Sequence, residues 1–338
     1  MTAPTRTLES CLDELGRLVN RRNVPFSSEA LAFDETSDAA KLCADPLVSV
    51  CIISYNSAAT IDEALAGVLA QETDFPFEVI ISDDGATDDT LARCEAWLAR
   101  YPDKVRILRA HRNVGLLGNR LRALSAVRAP WIAWLDSDDF WTDPGKLRKQ
   151  VALLRETGAV MCLAFAEMRW TDGRRGLLDC PPTRFLSPDM LLRHYLHTST
   201  YIHSREALLR ATRDCPNLQG WDDQDLLFGL AAQGRIALLP EVVSAYRITG
   251  TGDAIGQGED HFKLVVRWQF LRLFLYGPQR FRHRFLTALL KGIRLQLLNG
   301  VNPDVAALLR DIAILAHARA PWSIRVWREW RKLQKVLP

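Results

Sequence analysis

The chain has 338 residues, 48% hydrophobic and 25% charged, which suits one large or two modest globular domains and excludes a disordered chain. No run of 18 apolar residues occurs, the N-terminus lacks a charged-then-apolar leader, and the seven cysteines are scattered without a C-x-x-C pair; a reducing cytoplasm is expected, with neither a membrane span, a zinc site nor a disulfide framework. The net charge of +3 hides an asymmetry: from Lys263 to Pro338, 15 Lys/Arg face 3 Asp/Glu, net +12, which leaves −9 for residues 1–262.

Residues 1–45 read as a polar extension with one short amphipathic helix over Cys11–Val19. Leu47–Ser54 (LVSVCIIS) is a β-branched apolar run, the mark of a strand buried on both faces. Thr60 and Glu63 have the spacing of a capping box ahead of a helix. Glu78–Ser82 is a second strand, ending at Asp83-Asp84-Gly85, and a helix follows over about 88–100. Val105–Leu108 is a third strand, Leu117–Val127 a helix, and Trp131–Leu135 a fourth strand. This alternation predicts an α/β fold with a mostly parallel, Rossmann-like sheet flanked by helices.

The fourth strand runs into Asp136-Ser137-Asp138-Asp139, with Asp143-Pro144 set to cap the next helix over 145–156. Val160–Phe165 is a further strand, and 167–200 is irregular, broken by Gly173, Gly176 and Pro181-Pro182. Short elements follow: a strand over 199–203, helices over 205–211 and 223–233, and two strands over 235–239 and 242–247. Beyond Asp260 the chain reads as all-helical, over 261–276, 278–298, 303–317 and 321–336.

Three acidic clusters stand out: Asp83/Asp84, Asp136/Asp138/Asp139 and Asp222/Asp223/Asp225. In an open parallel sheet the loops after the strands gather on one edge, so the first two clusters should lie close together. Dense carboxylates repel unless a cation sits among them or they face water, and Mg²⁺ or Mn²⁺ prefers carboxylates together with phosphate oxygens. A plain acidic loop capping a helix is the alternative. Neither G-x-G-x-x-G nor a P-loop lysine motif is present, which removes the usual dinucleotide and NTPase readings.

The blocks PLVSVCIISYNSAATIDEALAGVLAQ, FEVIISDDGATDDT, NVGLLGNRLRAL and WIAWLDSDDFWTDPGKLRKQV resemble glycosyltransferase family 2 in order and spacing, and the resemblance resumes over 220–252. It implies an A-type glycosyltransferase fold and an inverting enzyme that uses a nucleotide-diphospho-sugar, a uridine one first. It also implies roles for single positions. Ser54, Tyr55 and Asn56 would meet the nucleobase, with Tyr55 stacking on it. Asp84, with Asp83 beside it, would bond base or ribose, and Asn113, Gly115 and Arg120 would line the nucleotide pocket. Asp136-Ser137-Asp138 matches the D-x-D motif, so Asp138 would face Mn²⁺ or Mg²⁺ and Asp136 the ribose or a metal-bound water. Asp139 would support the metal site or touch the sugar.

WDDQDLLFGLAAQG matches the block that carries the catalytic base, which puts Asp223 in that role with Asp222 and Asp225 as competitors. Asp222 and Asp223 could instead complement a helix N-terminus. Arg247 would meet the diphosphate, and Thr249 stands where many members have His. Trp221 either stacks on an acceptor sugar or belongs to the core. His194, His197 and His203 are loosely spaced and read as structural histidines.

The acceptor implied is a glycan or a lipid-linked glycan, in bacterial surface polysaccharide synthesis. The expected organisation is an extension (1–45), a catalytic domain (46–258, divided into nucleotide-binding 46–150 and acceptor 151–258) and a basic helical region (259–338). The Arg- and Trp-bearing tail suits either the anionic inner face of a membrane or packing on acidic protein, including a second copy of the chain. Nucleic acid is not expected as a partner, for no reader motif accompanies the basic charge. The rival readings are a sugar-nucleotide nucleotidyltransferase, against which SYNSAATID lacks a basic glycine-rich loop, and a non-catalytic sugar-nucleotide or carbohydrate-binding module, against which Asp84, Asp138 and Asp223 occur together.

Overall fold

A computed structural model describes residues 6–19, 27–178, 181–194, 196–217, 222–248, 259–319 and 323–337. They form two compact units, one within Phe26–Arg213 and Gly220–Ile248, the other within Met1–Pro25, Asp214–Gln219 and Thr249–Pro338.

The first unit is a mixed α/β sheet with a parallel core. In chain order its strands are β1 (Phe33–Thr36), β2 (Val48–Ser54), β3 (Phe77–Asp83), β4 (Val105–Ala110), β5 (Trp131–Asp136), β6 (Phe140–Trp141), β7 (Met161–Trp170), β8 (Arg175–Leu177), β9 (Phe185–Leu186), β10 (Ile202–Ser204) and β11 (Ile236–Ile248). The spatial order is β1-β4-β3-β2-β5-β10-β7-β11-β6, with β8 beside β7 and β9 beside β11. The pairs β4–β3, β3–β2, β2–β5 and β7–β11 are parallel; β1, β10 and β6 join antiparallel. All seven residues of β2 and all seven of β3 are buried, as continuous apolar runs require when both faces of a sheet are covered. Val50, Ile52, Val79, Ile81, Ile107 and Leu135 belong to one core cluster.

The register fixes the site. Ser54 lies opposite Asp83 on β3, and Ile53 lies opposite Asp136 on β5, so three neighbouring parallel strands end together at the carboxyl edge.

Helix α1 (Leu8–Leu18) precedes this sheet in the chain, and α2 (Ile61–Leu69), α3 (Thr90–Arg100), α4 (Gly115–Ala126) and α5 (Lys146–Thr157) alternate with its strands. Helices α6 (Pro188–Leu191), α7 (Arg205–Asp214) and α8 (Asp223–Ala231) follow.

Several local expectations are corrected. Thr60 makes no capping bond to α2; its hydroxyl reaches the Ser57 carbonyl at 3.4 Å instead, so no capping box forms. Asp143 does not cap α5, whose N-cap is Gly145; its carboxylate accepts from the Gly145 N–H at 2.8 Å and pairs with Lys149 at 2.7 Å. The two strands expected over 235–247 are one, β11, whose register slips at Pro240 and Glu241. Phe33–Thr36, read as part of a polar extension, is the edge strand against β4, tied down by Glu35 to Arg106 at 2.8 Å.

The second unit is helical. It contains α1, α9 (Glu259–Tyr276), α10 (Arg282–Asn299), α11 (Pro303–Ala318) and α12 (Ile324–Gln334). Helix α1 packs on α9 and α11, and α10 packs on α9, α11 and α12. Leu12, Leu15, Trp268, Phe285, Leu289 and Ile312 are buried there, each contributing about 1.5–3 kcal/mol through its removal from water. No described helix is long and apolar enough to cross a membrane.

Candidate active site

The site grows from the ends of β2, β3 and β5. At the end of β2, Tyr55 is 47% exposed, whereas Ser54 is buried and its carbonyl accepts from Asn119 Nδ2 at 3.1 Å. Asn56 turns the chain with φ 49°, a left-handed conformation that asparagine tolerates, and its Oδ1 accepts from the Thr87 N–H at 2.8 Å. The Ser57 and Ser137 hydroxyls meet at 2.6 Å, which ties the loop after β2 to the loop after β5.

Asp83 and Asp84 are both buried, and each is held by backbone donors. Asp83 accepts from Gly85 N at 3.2 Å and Ala86 N at 3.1 Å; burial nevertheless raises its carboxyl above the ordinary range. Asp84 accepts from Val114 N at 3.1 Å, Gly115 N at 2.7 Å and the fully buried Arg122 at 3.1 Å. It thereby clasps the start of α4, and Gly115 there has φ 80°, a backbone region that favours glycine. Asn113 is exposed beside it, with Oδ1 accepting from Gly115 N at 3.0 Å.

One turn into α4 stands Arg120, which is buried. It donates to Asp223 at 2.5 Å and lies 3.9 Å from Asp136. Burial disfavours its charge, but Asp223, Asp136 and Asp222 outweigh that and hold the guanidinium ionised. Asp223 shows the mirror effect. Burial alone would raise its carboxyl, yet the charge and hydrogen bond of Arg120, with a bond from Thr198, leave it below the ordinary carboxylate value. Asp222 is the N-cap of α8, its side chain facing the Gln224 N–H at 3.5 Å.

The D-x-D loop is acidic and crowded. Asp136 is raised by burial and by Asp223, against the pull of Arg120. Asp138 has an exposed side chain on the rim, but partial burial of its carboxyl, with Asp139 and Asp136 nearby, lifts it to about 7. Asp139 turns inward and is buried; it accepts from Ser199 Oγ at 2.7 Å and from Arg247 N at 3.0 Å, and burial pushes it up to about 8. Arg247 is committed to protein groups, donating to the Asp138 carbonyl at 2.9 Å and to Glu63 at 2.6 Å.

The segment His197–Thr200, before β10, joins the site, and His197 is more than the structural histidine its spacing suggests. All four of its side chains are buried. Thr198 bonds Asp223, Ser199 bonds Asp139, and the Ser199 carbonyl accepts from Trp141 Nε1 at 2.9 Å. The His197 ring lies 4.2 Å from the Tyr246 ring, and its Nδ1 accepts from Ser199 N at 3.3 Å while standing 3.4 Å from Asp139. Burial lowers its pKa, so the ring is neutral. Asp136, Asp139 and His197 bring ligand atoms within 4.8 Å of one another, and no other group of three metal-capable residues occurs among the described residues. Two carboxylates whose ionisation is opposed, beside a neutral imidazole, are a donor set that fits Mn²⁺ or a similar divalent ion. The sequence does carry a signal here: HTST is a polar run set between Leu196 and Tyr201, both buried.

His203 is structural, as expected. Its Nε2 accepts from Trp134 Nε1 at 2.8 Å and burial drops its pKa to about 4. Trp221 and Thr249 lie outside the described residues, as does Trp322 of the Arg- and Trp-bearing tail.

A parallel-cored α/β sheet with carboxylates converging at its carboxyl edge defines the class of an A-type glycosyltransferase. Residues 49–210 match the family described as Glycosyl transferase family 2, and the chain belongs to that family. The succinoglycan biosynthesis protein ExoO of Rhizobium meliloti is 37% identical over 258 residues, 71% of this chain and 72% of that protein. An uncharacterized protein of Mycobacterium tuberculosis is 38% identical over 205 residues, 59% of this chain; the match spans only 58% of that relative's length. Among solved structures, S. aureus TarS 1-349 shares the fold with a TM-score of 0.58 at 21% identity, covering 85% of this chain and 90% of that one.

Proposed function

We propose that this chain is a metal-dependent inverting glycosyltransferase that moves a sugar from a nucleotide-diphospho-sugar to a glycan or lipid-linked acceptor, in the synthesis of a bacterial surface polysaccharide. The observation that carries the reading is the convergence, at one sheet edge, of the β2, β3 and β5 ends with Arg120 and Asp223. The name of the R. meliloti relative supports the pathway class.

Tyr55 offers an exposed ring for the nucleobase, and a uridine nucleotide is the first donor to test. Asp83 and Asp84 shape the floor of that pocket. Asp136, Asp139 and His197, with Asp138 on the rim, would hold the divalent ion, which when bound draws charge from the departing diphosphate. Asp223 takes the proton of the acceptor hydroxyl as its oxygen bonds to the anomeric carbon and the bond to the diphosphate breaks. Asp222 caps the helix that presents Asp223. Arg120 keeps Asp223 ionised beforehand, and its charge, shared with Asp136, remains in the site when Asp223 becomes neutral. Arg247, by its bonds to the D-x-D loop, positions that loop.

The test is calorimetry or thermal shift with uridine, guanosine and thymidine sugar nucleotides, each with and without Mn²⁺. Binding of one donor that needs the metal is expected. Binding of none overturns the proposal.

A further inference from the structure

Helix α12 carries two faces. Val326 and Leu333 are buried on one, and Trp330 beside them stacks on His317 with ring centroids 4.1 Å apart. The opposite face, at i, i+3, i+4, i+7 and i+11 spacing, bears Ile324, Trp327, Arg328, Arg331 and Lys335, all exposed. Ile324 is 65% and Trp327 46% exposed, values far above what core-facing residues show. Arg331 lies over the Trp327 ring at 4.3 Å, so the aromatic and the cation form one amphipathic patch. Arg325 and Lys332 flank the stripe, and the single acid of the helix, Glu329, lies off it, paired with Lys332 at 2.7 Å.

Charge is one half of the argument. Four basic side chains on one helix and a fifth, Lys335, at its C-cap, with no acid on the outward stripe, select an anionic partner. The apolar pair is the other half. Ile324 and Trp327 are two of the nine exposed large hydrophobic residues described. Nucleic acid would be met by the cations alone, since no reader motif accompanies them. An aromatic and a branched aliphatic side chain set among arginines suits the boundary between lipid headgroups and acyl chains, where indole rings settle and arginine stems lie along apolar surface.

We propose that the outward face of α12 docks on an anionic lipid surface, with Trp327 and Ile324 entering the headgroup layer and Arg328, Arg331 and Lys335 meeting lipid phosphates. The contact is peripheral and reversible, because two apolar side chains and a handful of cations give far less than a spanning helix. It rests on α12 alone and not on the glycosyl-transfer reading.

The test is co-sedimentation of the full chain with vesicles of pure phosphatidylcholine and with vesicles carrying about 30% phosphatidylglycerol, a fraction chosen to give an anionic surface potential. Binding to the anionic vesicles only, lost at high salt, is expected. Removing two cations in R328A/R331A should weaken partition roughly thirtyfold, and W327A should weaken it without changing its salt dependence. Circular dichroism and melting temperature of each variant separate lost binding from lost folding; K335A together with I324A serves if the first variants do not fold. Equal binding to neutral vesicles, no binding to either, or wild-type binding by every folded variant overturns the proposal. So does a concentration-dependent dimer, seen by sedimentation velocity, that α12 variants abolish while vesicle binding is absent.

Discussion

Asp223 is ionised because Arg120 makes it so, and this sets what the residue can do. A carboxylate held below its ordinary pKa is a ready but weak proton acceptor, so as the proposed base it would act through placement against the acceptor hydroxyl. Asp223→Asn removes the acceptor of the proton while keeping size and a hydrogen-bonding oxygen for Arg120. Transfer is expected to fall about 10²–10⁴-fold, with donor affinity within a few-fold of wild type. Turnover near the wild-type level would return Asp223 to the role of an arginine-positioning residue. At the metal-capable group, His197→Ala and Asp138→Ala distinguish inner from rim ligands. Loss of the neutral nitrogen should weaken Mn²⁺ binding by at least about 10–100-fold, the cost of losing even an outer-shell partner, read by titration calorimetry without any donor present. If Asp138→Ala abolishes binding and His197→Ala leaves it unchanged, the ion sits on the rim alone.

At the scale of elements, Gly67 decides how closely α2 can approach β6. It lies within α2, where alanine would ordinarily gain about 1 kcal/mol. A Cβ at that position, however, would stand 2.7 Å from the Trp141 carbonyl oxygen and 3.1 Å from its backbone nitrogen, atoms of β6 that cannot swing away. Overpacking of this kind costs about 1–3 kcal/mol, so Gly67→Ala should lower stability by about 1 kcal/mol in urea denaturation despite the better helix former. An unchanged or raised midpoint would mean that β6 yields. The central strands were legible because buried parallel strands write themselves as unbroken apolar runs, VSVCIIS and WIAWL among them. Phe33–Thr36 was not, because an edge strand with the pattern FDET has no such run and owes its place to Glu35 reaching Arg106. The division of 235–247 into two strands failed for a related reason: Pro240 looks like a breaker, but here it falls where the β11 register slips and no ladder donor is needed.

At the scale of the whole molecule, the D-x-D loop and the acidic strand ends could be read from the chain because parallel topology gathers them on one edge. The HTST run marks a polar segment between apolar residues but not its place in the site, since β10 enters antiparallel between β5 and β7 and brings in a segment about sixty residues away from Asp139. That arrangement leaves a signature in the pH dependence of stability. Asp139 has its proton affinity raised to about 8 in the folded chain, against about 3.9 for an unfolded aspartate. Between these values the folded state holds the proton and the unfolded state does not, so stability from this group is complete below about pH 4 and is lost as pH rises through about 8. From pH 5 to 8.5 the metal-free protein should therefore lose more melting temperature than Asp139→Asn, which keeps the volume but cannot ionise. A divalent ion competes with that proton, so saturating Mn²⁺ should raise the melting temperature more at pH 8 than at pH 6. At a hundredfold excess over its dissociation constant the gain is about 2.7 kcal/mol. Parallel pH profiles for wild type and variant, with a metal effect independent of pH, would show that Asp139 stays ionised in the folded protein and that the crowding of carboxylates at this edge is relieved by the protein itself.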